Sequence, residues 1–123
     1  FENLKIKNFS ILPGSELKLL KGLEIGCSGI ITATCNVTAE LSRKVYDDFF
    51  SSNEQTSNQK LCEVRKVFDK YNLISGLHTF CSEKNKIYEN ILPPLKLLSD
   101  SEKKELKENL NKLDFNLSTS LAA

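Results

Sequence analysis

The chain has 123 residues, of which 40% are apolar and 27% charged, enough for one ordinary domain and too apolar for wholesale disorder. Its 17 lysines and arginines exceed its 16 aspartates and glutamates by one, so no chain-wide field exists to hold nucleic acid or an anionic membrane. No apolar run approaches the ~18 residues needed to span a bilayer, so neither membrane nor nucleic acid is an expected partner.

The start, Phe1-Glu2-Asn3-Leu4-Lys5, lacks an initiator methionine and the whole chain contains none, which leads us to expect a fragment of a longer protein. No export leader is visible, and a cytoplasmic setting is expected. Phe9–Leu12 is a short β-prone run stopped by Pro13-Gly14, a pair that opens a turn. Beyond it, Leu19, Leu20 and Leu23 recur with helical spacing. Ser15 can cap the start of this helix, and Gly26 suits the position past its end. Gly29–Thr34 is rich in β-branched residues and has no clean polar face, which reads as a strand buried on both sides. Strand, helix and strand make a βαβ unit, whose strands should lie parallel.

Thr38 is a plausible cap for a second helix with Leu41, Val45 and Phe49 on one face. The polar stretch from Ser51 to Asn58 reads as a solvated loop. Thereafter the pattern is helical: Leu61, Val64, Phe68 and Tyr71 mark one helix, and Leu77, Phe80 and Cys81 mark another after a break at Asn72. Pro93-Pro94 ends this region. Ser99 and Glu102 fit a capping box for a last helix with Leu106, Leu110 and Leu113 on its stripe, and the tail from Asn116 should fray. Two parallel strands cannot close a sheet, so the physical reading is the C-terminal part of an α/β protein, with β/α structure over 1–52 and a helical extension over 53–123.

The four cysteines, Cys27, Cys35, Cys62 and Cys81, are spaced too widely for a paired zinc or redox motif and are expected to be buried free thiols. The sequons at Asn8, Asn36 and Asn116 are read as chance matches. His78 sits in a helical stretch without an acid or cysteine constellation. The lysines from Lys103 to Lys112 alternate with glutamates at helical spacing, which describes a solvated face.

Three segments carry a resemblance: Ile11-Leu12-Pro13-Gly14-Ser15-Glu16, then Gly26 through Val37, then Ile91-Leu92-Pro93-Pro94-Leu95 through Ser99. Together they resemble the dihydrodipicolinate synthase/N-acetylneuraminate lyase family of class I, pyruvate-dependent aldolases. The resemblance implies a (β/α)8 barrel, of which this chain supplies the last two βα units and the helical extension, with the site at the C-terminal ends of the strands. It implies a lysine that forms a Schiff base with pyruvate or another 2-oxo acid, and a proton-relaying tyrosine. Both lie upstream in the family, so no catalytic residue is assigned here, and Lys5, Lys7, Lys18 and Lys21 stand in the wrong places. No cofactor or metal is implied.

Residue by residue, Gly14 matches a loop glycine that lets substrate approach, and Ile31 a position lining the pyruvate pocket. Glu16 falls where sugar-acid lyases bind substrate hydroxyls, and Ala33 where sialic acid lyases carry serine. Alternation places Ile31 and Ala33 on one face and Thr32 and Thr34 on the other. The loss of the serine hydroxyl at Ala33, and Leu17 in place of a second acid, argue against a strict sialic acid lyase. The family implies a homodimer or homotetramer for the full-length protein. The second substrate stays open between aspartate semialdehyde, a sugar acid and a hydroxy-oxo acid. A small non-catalytic α/β-helical interaction module is the alternative reading.

Overall fold

The computed structural model describes residues 8–116, and the chain divides between Cys62 and Glu63 into two compact units. The first unit is built on a reverse turn at Pro13-Gly14. Ser15 accepts a hydrogen bond from the Leu17 backbone at 3.3 Å and starts a 3-10 turn, Glu16–Lys18, which runs into helix α1, Leu19–Glu24. Gly26, at φ +91°, takes the left-handed turn that closes α1, while Cys27 donates back to the Gly22 carbonyl at 2.8 Å. Both ends of this helix were legible in the sequence.

The two expected strands are corrected: among the described residues none lies in a β-strand. Phe9–Leu12 and Gly29–Ile31 do run side by side in the same direction, with Ser28 donating to the Ile11 carbonyl at 2.9 Å and Ile31 to that of Pro13 at 3.2 Å. Between these bonds one segment advances two residues and the other three, with Gly29 at φ +147° absorbing the extra one. A regular parallel ladder needs equal steps, so the unequal pair makes two isolated hydrogen bonds in place of a ladder. The expected last two βα units of a barrel are therefore not seen as such; two extended segments, each followed by a helix, stand in their place.

Helix α2, Cys35–Phe50, also begins earlier than Thr38 suggested. Residues Thr32–Thr34 form the turn into it, and Thr38 lies inside its first turn. Thr34 occupies the N-cap without capping, because its hydroxyl is directed elsewhere. Leu19, Leu23, Val45 and Leu61 form the core of this unit, with Leu20, Ile30, Leu41, Tyr46 and Phe49 packed around it. The loop after α2 is tied down by Gln55, which donates to the Val45 carbonyl at 3.2 Å.

Helix α3, Asn58–Phe68, begins in the first unit and ends in the second. Asn72 caps α4, Leu73–Ser82, by accepting from the Ser75 backbone, which explains the break read there. A 3-10 turn, Lys86–Glu89, starts under the side chain of Asn85. Helix α5, Asp100–Asn111, carries the expected capping box in both directions. Phe68 meets Phe80 edge-on at 5.6 Å, and Phe80 stacks on Phe115 at 5.8 Å. Leu106 and Leu110 are buried, whereas Leu113 lies past the helix end. All four cysteines are free thiols, Cys27 and Cys81 buried and the other two half-buried. No helix among the described residues is long and apolar enough to cross a membrane. The fraying expected from Asn116 onward falls mostly outside the described residues.

Candidate functional site

The turn at Gly14 and the turn into α2 meet. A β-carbon built on Gly14 would stand 3.7 Å from the Ile31 carbonyl oxygen, and the Ile31 amide is already bound to Pro13. Two of the expected site residues are thus brought together by backbone alone. Ile31 is 72% exposed, a large apolar side chain held out on a fixed loop. Ala33 is exposed as well, and its carbonyl accepts from the Asn36 amide at 3.2 Å and from Asn36 Nδ2 at 2.8 Å.

Glu16 faces the other way. It is 0% exposed. Thr34 and Thr38 both give their hydroxyls to its Oε1, the latter at 3.0 Å, and Thr32 gives its hydroxyl to Oε2 at 3.1 Å. Thr34 and Thr38 can converge because they are one helical turn apart on one face of the start of α2. An isolated buried carboxylate would be strongly unfavourable, and these three hydroxyl donors help to make the burial tolerable. Ile31 and Ala33 therefore face out while Thr32 and Thr34 face the acid, which is the expected division of faces although 32–34 is a turn.

Cys35 sits beside this cluster, with Sγ 3.5 Å from Ser42 Oγ. Burial pushes its thiol above the ordinary value, the Ser42 hydrogen bond pulls the other way, and the neighbouring Glu16 charge adds to the rise. Lys18 and Lys21 are exposed, and Lys21 pairs with Glu24 at 3.0 Å; Lys5 and Lys7 lie outside the described residues. His78 Nδ1 lies 2.8 Å from the Tyr88 carbonyl oxygen, a local tie within the second unit. No group of three potential metal ligands occurs among the described residues.

The site so built is a wall. It offers an exposed aliphatic side chain and a glycine turn, with the buried Glu16 carboxylate behind them. The T-x-T-x-x-x-T spacing of Thr32, Thr34 and Thr38 was the available signal, but its partner is remote in sequence.

The chain belongs to the dihydrodipicolinate synthetase family, whose model matches residues 2–113. Uncharacterised DapA-like lyases from two strains of Halobacterium salinarum are 24% identical over 104 residues, covering 82% of this chain. The chain spans about a third, 34%, of the length of those curated relatives. Among solved structures it is similar to YagE, a prophage protein of the dihydrodipicolinic acid synthase family from E. coli K12 in complex with pyruvate. That match has a TM-score of 0.66 at 18% identity, over 87% of this chain and 38% of that one. Dihydrodipicolinate synthase from Agrobacterium tumefaciens matches with a TM-score of 0.60 at 15% identity, over 85% and 35%.

Proposed function

We propose that this chain forms the C-terminal part of a lyase that makes or breaks a carbon–carbon bond through a Schiff base with pyruvate or another 2-oxo acid. The carrying observation is the approach of the Pro13-Gly14 turn to Ile31, whose amide donates to the Pro13 carbonyl at 3.2 Å and whose carbonyl oxygen would lie 3.7 Å from a β-carbon on Gly14, at the positions where the family resemblance puts the keto-acid pocket. In this reading a lysine outside residues 1–123 attacks the keto carbonyl and water leaves. The protonated imine then draws electrons from the adjacent carbon, which loses a proton and adds to a carbonyl partner, or the steps run in reverse.

Gly14, Ile31 and Ala33 contribute shape. Ile31 excludes water from one side of the keto acid, Gly14 leaves room for its approach, and Ala33 offers no hydroxyl to a long sugar acid. Borohydride reduction in the presence of pyruvate, followed by mass spectrometry, tests the proposal. The whole protein is expected to gain a reduced pyruvate adduct at a lysine outside this chain, and the isolated chain none. An adduct on the isolated chain, or none on the whole protein, sinks the reading.

A further inference from the structure

We propose that Glu16 is a positioning residue for the keto-acid pocket: its buried carboxylate, clamped by Thr32, Thr34 and Thr38, sets the place of Ile31 and Ala33 without touching substrate. This rests on the proposed keto-acid site. Glu16 begins the 3-10 turn directly after Gly14, so its position is fixed by the same turn that forms one side of the site. Thr32 and Thr34 flank Ala33 and follow Ile31, which forms the other side. Among the described residues, two backbone hydrogen bonds join these extended segments, from Ser28 and Ile31. The three hydroxyls on the Glu16 carboxylate add a side-chain tie between them. Within this chain the carboxylate is already 0% exposed.

Losing the carboxylate would remove the acceptor that Thr32, Thr34 and Thr38 share and leave Thr38 its bond to the Thr34 carbonyl and Thr32 its contact with the Thr34 hydroxyl, so the turn would no longer be drawn to the Gly14 side. A small displacement of a pocket wall costs binding steeply. Ile31 and Ala33 hold the keto acid without reacting, so the loss should fall on KM and leave kcat nearly intact.

The test uses the whole protein with pyruvate as the varied substrate. Glu16→Gln and Thr34→Val are each expected to raise the pyruvate KM about tenfold, with kcat changed by less than about twofold. The double variant is expected to be no worse than either single one, because both break one network. Thr34→Ser, which returns the hydroxyl, is expected to rescue KM. If Glu16→Gln raises KM and Thr34→Val does not, the acid acts on substrate directly and the inference is overturned; wild-type KM in both variants overturns it equally. Should Glu16→Gln fail to fold, the Thr34→Val and Thr34→Ser pair decides the matter alone. A wild-type protein that neither uses nor traps pyruvate removes the proposed function itself, an outcome separate from any variant.

Discussion

A side chain on Gly14 would touch the Ile31 carbonyl oxygen at 3.7 Å, an ordinary van der Waals distance, and among the described residues it would meet nothing else within 4 Å. Gly14 is also absent from the glycines with positive φ, which are Gly26 and Gly29. Its own chain therefore places no demand for glycine at this position. Gly14→Ala should raise stability by about 0.5 kcal/mol through the unfolded state. In the whole protein it should weaken keto-acid binding. Urea unfolding beside a pyruvate titration checks both; unaltered pyruvate affinity in the folded variant would remove Gly14 from the site.

The Cys35 thiol reports on the Glu16 charge. The folded protein holds this proton more tightly than the unfolded chain. Its contribution to stability is thus complete below the ordinary value of 9.0 and is lost as pH rises through the higher folded value. Replacing Glu16 by glutamine removes one cause of the rise, so at pH near 9 alkylation of Cys35 should quicken. Cys81, raised by burial alone, is the internal control. Mass spectrometry of the alkylated peptides across pH gives both profiles, and a Cys35 profile that stays in place contradicts the clamp's charge.

Ser99 and Glu102 hold the start of α5 reciprocally, at 2.9 Å from the Ser99 amide to Glu102 Oε2 and 3.4 Å from the Glu102 amide to Ser99 Oγ. Ser99→Ala should cost about 1 kcal/mol. Hydrogen bonds from the Ser99 hydroxyl and amide hold the Glu102 carboxyl below the ordinary carboxylate value of 4.5. That contribution is present above 4.5 and lost as pH falls through the lower folded value. The gap between wild type and variant should therefore narrow in acid. A gap independent of pH in denaturant melts would show that Glu102 takes no part.

Leu61 is wholly buried against Leu19, Leu23 and Val45. Leu61→Ala removes three side-chain carbons from the middle of that cluster and should cost about 3 kcal/mol, transfer and cavity together. Chemical denaturation measures it; a loss below about 1 kcal/mol would mean the site collapses freely around the smaller residue.

What the sequence disclosed was mostly local. Ser15, Asn72, Gly26 and the Ser99–Glu102 pair act on backbone within a few residues, so their roles could be read from neighbours alone. The strands could not. Phe9–Leu12 and Gly29–Thr34 have β propensity, but a ladder is a relation between two segments, and the extra residue absorbed at Gly29 is invisible to composition. The burial of Glu16 was hidden for the same reason. Buried acids are rare unless paired, so the ordinary expectation leaves such a residue in solvent or facing a ligand. Its donors stand sixteen or more residues away. Thr38 suits a cap by type, but it lies inside the first turn of α2, where its hydroxyl meets the Thr34 carbonyl and the Glu16 carboxylate.

The caps of the second unit carry a kinetic consequence. Asn72 starts α4, Asn85 the 3-10 turn that follows and Ser99 the helix α5, each through a bond to backbone two or three residues ahead. Structure specified over such short stretches closes small loops and forms quickly, whereas the Glu16 clamp must wait for a chance encounter between distant segments. The order of folding is thus expected to run against the order of the chain, the later residues settling before the earlier ones. Pulse-labelled amides of α4 and α5 should gain protection ahead of those of Ile31 and Thr38, and simultaneous protection would refute the ordering.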